Sequence, residues 1–265
     1  MRRTNALKIL TAPKDAKLLL MGNEAIARGL IEADVKVVTG YPGTPSSEVI
    51  MTLIRASSDL GIYIEWAVNE KVAFEIALGA ALAGVRSFTS MKAPGLNVAS
   101  DPIVSAAYCG VNAGLVFLVA DDPGPHTTQT EQDSRWYANI IKVPMIEPSN
   151  PQEAKDYTVK AYDISEELSL PVMLRTTTRV NHTVADVVLG EIKRTSFNST
   201  IKFKYEPKRY IRASMKWNLD RHKWLNKQLS KAKELVMRYK LVKIEGDGKY
   251  CIVTSGVVYN YVKEL

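Results

Sequence analysis

The chain has 265 residues, of which 46% are hydrophobic and 24% charged, with a formal net charge of +7. These are ordinary globular values that allow one large or two modest domains with a sizeable core, and they argue against disorder. No stretch approaches the roughly 20 apolar residues of a membrane span, and residues 1–6 lack the apolar core of a secretion signal, so a cytoplasmic location is expected.

Only Cys109 and Cys251 are present, far apart in sequence. That fits two free thiols in a reducing compartment and excludes an iron–sulfur cluster carried by this chain alone. The charge is uneven. Residues 193–249 hold 17 Lys/Arg against 5 Asp/Glu, a net +12, so residues 1–192 carry −5. The overall charge therefore does not describe one basic surface.

Residues 1–17 read as a loose tail. Residues 22–33, with Ala25, Ile26, Leu30 and Ile31, suit a helix packed on a sheet. Val35-Lys36-Val37-Val38 predicts a buried strand. Gly40-Tyr41-Pro42-Gly43-Thr44-Pro45-Ser46-Ser47 then predicts a tight turn into a helix over about 45–58, with Thr44 at the N-cap and Pro45 at the first helical position. Such a corner presents N–H groups and a hydroxyl at the C-terminal edge of a sheet, where α/β folds place ligands. Residues 62–66 alternate like a strand. Residues 69–83 form a helix that is apolar nearly all round, and such helices are buried. Glu70 enters it in the first turn. The macrodipole favours a carboxylate there, but burying one costs free energy unless something needs it. The plain alternative is a solvated or capping glutamate.

Strands follow over 86–90, 114–120, 143–146 and 171–176, and helices over about 96–107 and 150–168, the last with Asn150 as N-cap and Pro151 at the first helical position. The all-apolar run at 114–120 fits a strand covered on both faces. Alternating strands and helices imply an α/β fold with a doubly wound, mostly parallel sheet. A composition shift near residue 184 ends this domain, which spans 18–183. Residues 184–249 read as a basic connector, extended over 184–210 and helical over 213–239, where Leu225, Leu229, Ala232 and Val236 fall at helical spacing. Residues 250–265 read as the truncated start of a further α/β domain, with a strand over 251–254, a Gly turn and the beginning of a helix.

Tyr41-Pro42-Gly43-Thr44-Pro45-Ser46-Ser47 resembles the turn that opens the pyrimidine-binding domain of 2-oxoacid:ferredoxin oxidoreductases. Asn69-Glu70-Lys71 with its Ala-rich helix, and Thr89-Ser90-Met91-Lys92-Ala93-Pro94-Gly95-Leu96-Asn97, resemble that family's activating-glutamate helix and the strand-turn after it. With Asp121-Asp122-Pro123 and Arg175-Thr176-Thr177-Thr178-Arg179, the pattern looks most like the indolepyruvate ferredoxin oxidoreductase α subunit, closely over residues 18–183. Ala93 stands where the family often has His, and this departure bears on substrate positioning.

The resemblance implies the pyrimidine-binding part of a thiamine diphosphate enzyme. It would decarboxylate indolepyruvate or another aryl pyruvate to an acyl-CoA and pass the electrons to ferredoxin. Glu70 maps onto the catalytic carboxylate that hydrogen-bonds the cofactor's aminopyrimidine. Gly43, Thr44, Lys92 and Asn97 map near the cofactor, although a helix cap or turn accounts for each equally well. Thr44, His126 and Gln129 are the expected substrate contacts, the last two on the polar loop 123–135 after the best strand. A lone loop histidine is otherwise a solvated group.

Glu245-Gly246-Asp247-Gly248 resembles the start of a diphosphate–magnesium motif, but the Asn pair that motif needs downstream is missing. A turn explains it better, so the diphosphate and Mg2+ are expected from another domain or subunit. Iron–sulfur clusters and CoA are implied only elsewhere in the complex, and no metal site is expected in this chain. The implied partners are the remaining α-subunit domains or a diphosphate-binding subunit, a β subunit and ferredoxin, in a homo- or hetero-oligomer, and the isolated chain is expected to be inactive. The alternatives are a simple thiamine-dependent decarboxylase, a non-catalytic assembly module, and a nucleic-acid binder using the basic segment. A connector whose basic face meets the acidic front domain is preferred to the last.

Overall fold

The computed structural model describes residues 8–9, 11–55, 61–192 and 203–265. The chain opens with β1 (Lys17–Met21), α1 (Gly22–Glu32), β2 (Val37–Gly40) and α2 (Ser47–Ile54). It continues through β3 (Tyr63–Trp66), α3 (Glu70–Leu82), β4 (Ser87–Lys92), α4 (Ala93–Cys109) and β5 (Leu115–Asp121). Then come α5 (Arg135–Ile141), β6 (Met145–Ile146), α6 (Pro151–Leu168), β7 (Val172–Thr177), α7 (Thr178–His182) and β8 (Val184–Val188). The last elements are α8 (Pro207–Tyr210), α9 (Met215–Arg238) and α10 (Val258–Glu264).

Six strands form one parallel sheet in the order β3-β2-β4-β5-β7-β6. All seven residues of β5 are buried. A strand can be apolar throughout only when helices cover both of its faces. Phe74 of α3 meets Phe117 of β5 edge to face, with ring centroids 5.8 Å apart. Truncating such a buried ring costs about 3–5 kcal/mol. α1 packs along α6, and Gly29 lets them approach: a Cβ there would lie 2.7 Å from the Lys155 carbonyl. α3 packs on α4.

Three expectations need correction. First, the helix after the Pro/Gly turn begins at Ser47 with Ser46 in the cap position, so neither Thr44 nor Pro45 starts it. Ser46 Oγ donates to the Gly43 carbonyl at 2.9 Å and Gly43 N–H donates to Ser47 Oγ at 2.7 Å, which carries the turn two residues further. The Thr44–Pro45 bond is cis. Second, residues 184–188 are not extended connector. They form β8, antiparallel to β1, with Lys17 opposite Val188 and Met21 opposite Val184. Third, residues 251–254 form no strand. Ile252 and Val253 are exposed, and strand-prone residues without a partner strand stay irregular. Residues 1–7 and 10 of the expected tail, 56–58 of the expected second helix and 193–202 of the connector lie outside the described residues.

The long helix α9 forms as expected, although Leu235 rather than Val236 is the buried residue of its last turns. Its basic side chains meet the C-terminal ends of front-domain helices. Arg221 donates to the Tyr108 and Cys109 carbonyls of α4 at 2.6 and 3.2 Å, and Arg209 of α8 joins it at the Cys109 carbonyl, at 2.6 Å. Lys231 donates to the Glu167 carbonyl of α6 at 3.0 Å, and Arg238 pairs with the Glu167 carboxylate. Cations at helix C-termini are stabilised by the macrodipole and by the unsatisfied carbonyls there. Burial, with Arg209 and Arg212 beside it, pulls Arg221 down to about 10.

Candidate active site

The strand register brings four C-terminal ends level. Gly40 pairs with Ser90, Lys92 with Ala120, and Asp121 with Thr177. The segments leaving these ends carry most of the residues singled out from sequence.

Glu70 opens α3. Asn69 caps that helix, its Oδ1 accepting from Val72 N–H at 2.9 Å, so the glutamate is not the cap. Glu70 is only 8% exposed, and its carboxylate has no hydrogen-bond or ion-pair partner among the described residues. The start of α4 closes against it: a Cβ at Gly95 would lie 2.4 Å from Glu70 Oε1. Glycine is therefore required at 95 for the carboxylate to sit where it does.

The Pro/Gly turn lies beside the end of β4. A Cβ at Gly43 would lie 3.0 Å from Lys92 Cγ, so the aliphatic stem of Lys92 runs along the turn. Neither the Lys92 ammonium nor the Thr44 hydroxyl has a partner among the described residues. Asn97 differs: its amide exchanges hydrogen bonds with Gln132, at 3.1 and 3.3 Å, and its Oδ1 accepts from the Tyr137 hydroxyl. It ties α4 to the loop rather than standing free.

That loop is fastened at both ends by two adjacent aspartates. Asp121 is fully buried, accepts from Ser134 N–H at 3.0 Å and pairs with Arg175 at 2.8 Å. Arg175 also pairs with Glu147, which Arg135 grips at 3.0 Å. Burial pushes the Glu147 carboxyl up, but the two arginines hold it below the usual range. Asp122 accepts from the His126 and Thr127 N–H groups at 2.7 and 2.8 Å and from the Thr178 hydroxyl. Burial raises its carboxyl, yet these bonds and the His126 ring outweigh that and hold it at about 2. The His126 ring, 66% exposed, lies 3.1 Å from Asp122 Oδ1. Thr127 Oγ1 reaches the Thr44 carbonyl at 3.4 Å, and Gln132 Nε2 the Ala93 carbonyl at 2.6 Å. Gln129 is exposed, with no side-chain partner among the described residues.

The structure thus gathers Gly43, Thr44 and Lys92 at one corner, with Glu70 behind Gly95, and sets His126 and Gln129 on the exposed loop. The sequence reading gave no role to Asp122, the loop's anchor, although the Asp121-Asp122-Pro123 run at a strand end marked the place. It also missed Asn23 and Asn181, which hold the Pro45 carbonyl.

A cleft of about 740 Å³ opens at the opposite edge of the sheet, lined by Glu32, Lys36, Arg86 and Lys155 among others. Most of its charges are matched internally: Lys36 with Asp34, Arg86 with Glu166, and Lys155 with Glu32. Among the described residues, no group of three or more His, Cys, Asp or Glu is placed to hold a metal ion, and no helix is long and apolar enough to cross a membrane.

The family model described as pyruvate flavodoxin/ferredoxin oxidoreductase, thiamine diphosphate-binding, matches residues 28–244. The indolepyruvate oxidoreductase subunit IorA of Pyrococcus abyssi is 45% identical over 253 residues, covering 94% of this chain and 39% of that protein. Its counterpart in Archaeoglobus fulgidus is 42% identical over 265 residues, covering 94% and 40%. The 2-oxoglutarate synthase subunit KorA of Methanothermobacter thermautotrophicus is 29% identical over 170 residues, covering 62% and 45%. The chain thus spans about two fifths of the length of its nearer curated relatives. Among solved structures, 2-oxoglutarate:ferredoxin oxidoreductase from Magnetococcus marinus has the same fold, with a TM-score of 0.66 at 16% identity over 83% of this chain and 46% of that one.

Proposed function

The chain belongs to the pyruvate flavodoxin/ferredoxin oxidoreductase family through that family's thiamine diphosphate-binding domain, and on that premise we propose that it forms the pyrimidine-binding part of a 2-oxoacid:ferredoxin oxidoreductase. The observation that carries this reading is Glu70: a buried carboxylate without a partner among the described residues, at the start of an apolar helix, facing a required glycine. A protein retains such a group where a ligand completes it. A carboxylate there suits the protonated ring nitrogen of an aminopyrimidine.

When bound, thiamine diphosphate supplies the nucleophilic carbon that adds to the carbonyl of a 2-oxo acid. Glu70 holds the proton shared with the aminopyrimidine N1′, and its shortage of water strengthens that hydrogen bond. Gly43 and Lys92 line the cofactor side of the corner, and the Thr44 hydroxyl contacts cofactor or substrate. His126 and Gln129 meet the substrate carboxylate from the loop. Asn97 keeps that loop seated on α4, where it excludes water.

Relatives named for indolepyruvate support an aryl pyruvate as substrate. Oxidative decarboxylation would then give an acyl-CoA and reduced ferredoxin. The diphosphate, Mg2+, CoA and iron–sulfur clusters belong in this reading to other domains and to a β subunit, all in the cytoplasm. Residues 18–183 are the cofactor-facing unit and the basic segment is its strap.

The test is Glu70→Gln in the assembled enzyme. Turnover falls by about 100-fold or more while the melting temperature holds, and a rate above about a tenth of wild type refutes the assignment.

A further inference from the structure

The corner that carries Thr44 is held from behind by two fully buried amides, Asn23 in the first turn of α1 and Asn181 on α7. Asn23 Nδ2 donates to the Pro45 carbonyl at 2.8 Å and to Glu48 Oε2 at 2.9 Å. Asn181 Nδ2 donates to the same carbonyl at 2.9 Å and to Asn23 Oδ1 at 2.9 Å. Every amide hydrogen is used, and the carbonyl takes two donors, as many as its lone pairs accept. The platform beneath is tight: a Cβ at Gly22 would lie 2.0 Å from the Val180 carbonyl oxygen, so the backbones of α1 and α7 are in close contact there.

Stability does not explain this arrangement. Burying two amides costs free energy that their hydrogen bonds only offset, and apolar side chains of similar shape fill the space without that cost. The pair is also left incomplete, since Asn181 Oδ1 is buried with no partner. A buried acceptor without a donor is a standing penalty. What the two amides provide is a fixed Pro45 carbonyl, and through the backbone a fixed Thr44. Thr127 Oγ1 holds the other side of that residue by its carbonyl, and the Thr44 hydroxyl has no partner among the described residues.

We propose that Asn23 and Asn181 form a positioning clamp that sets the Thr44 hydroxyl toward cofactor and substrate. The clamp rests on the reading of Thr44 as a ligand contact. Neither asparagine touches the ligand. Both act through the Pro45 peptide, and a displacement of about 1 Å at such a contact is enough to cost up to a hundredfold in rate.

The test is a double-mutant cycle in the assembled enzyme, with Asn181→Leu, Thr44→Val and the pair together. Three quantities are read: thiamine diphosphate affinity by calorimetry, KM and kcat for the 2-oxo acid, and the melting temperature without cofactor. Asn181→Leu keeps the packing volume and removes the unpartnered Asn181 Oδ1 but takes the donor from Asn23 Oδ1, so the melting temperature falls by only a few degrees. Its cofactor Kd or substrate KM rises on the order of tenfold, as does that of Thr44→Val. The double variant is no worse than Thr44→Val alone, because the clamp acts only through Thr44.

A crystal structure of Asn181→Leu with the Pro45 carbonyl shifted supports the clamp, and an unmoved carbonyl overturns it. If Asn181→Leu lowers only the melting temperature while Thr44→Val weakens Kd or KM, the clamp is wrong and the Thr44 contact stands. Strictly additive effects also overturn the clamp. Wild-type Kd and KM in Thr44→Val remove the contact beneath it and the clamp together. If Asn181→Leu does not fold, Asn23→Ser, which keeps the Asn181 bond to Pro45, is read through the same cycle.

Discussion

The two edges of the central sheet make a useful contrast. At the N-terminal edge the volume is generous and most charges are matched: Lys36 with Asp34, Arg86 with Glu166, Lys155 with Glu32. Arg28 is fully buried there, pairs with Glu32 at 2.8 Å and donates to the Ile9, Ala12 and Gly190 carbonyls. At the C-terminal edge, by contrast, the Glu70 carboxylate, the Lys92 ammonium and the Thr44 hydroxyl have no protein partner among the described residues. Concavity marks the first edge and unfinished hydrogen bonding the second. The lesson is that chemistry follows the unfinished groups, because matched charges have nothing left to offer a ligand.

Breaking the N-terminal edge should cost stability and leave ligand binding alone. Arg28→Met takes one of two buried cations from Glu32, which keeps Lys155, and leaves the Ile9, Ala12 and Gly190 carbonyls without their donor. It lowers stability by about 2–4 kcal/mol, measured by denaturant unfolding, with cofactor affinity unchanged at temperatures where the protein is folded. Weakened cofactor binding in the folded variant would erase the division between the edges.

Two glycines sharpen the comparison, because each would place a Cβ 2.4 Å from a carboxylate oxygen: Gly95 against Glu70 and Gly190 against Glu32. Both alanine variants lose about 1–3 kcal/mol from overpacking. Only Gly95→Ala should also lose turnover in the assembled enzyme. Equal turnover in the two would mean that the position of Glu70 does not matter.

The smallest effect belongs to Asp122. Its carboxyl is held down at about 2 in the folded chain, against 3.8 unperturbed. A depressed folded value gives stability that is present above pH 4 and is lost as the pH falls from about 4 to 2, worth about 1 kcal/mol after solvent screening. Asp122→Asn should remove that acid dependence and raise amide exchange in loop 123–133. An unchanged acid limb would assign the dependence to other carboxylates.

The fold was legible where the signal is local. The apolar run of β5, the Gly/Pro turns and the helical spacing between them predicted the strand and helix alternation directly. The β1–β8 pair was not legible, since Leu18 and Val187 meet across most of the chain and neither segment announces a partner. The expected strand at 251–254 failed for the complementary reason, having strand-like residues and nothing to pair with. Glu70 stood out because a carboxylate on an apolar helix is costly. Asn23 and Asn181 did not, since an asparagine in a helix reads as a solvated polar group until its burial is known. Thr44 was mistaken for a helix cap because Ser46 and Ser47, two residues on, satisfy the same rule.

The central claim is that Glu70 is the carboxylate for the cofactor's aminopyrimidine. The most direct measurement is the rate at which the C2 proton of bound thiamine diphosphate exchanges with solvent, in the assembled enzyme and its Glu70→Gln variant, with cofactor saturating both. The account predicts exchange slower by about 100-fold or more in the variant. Exchange at the wild-type rate with the cofactor bound would contradict it.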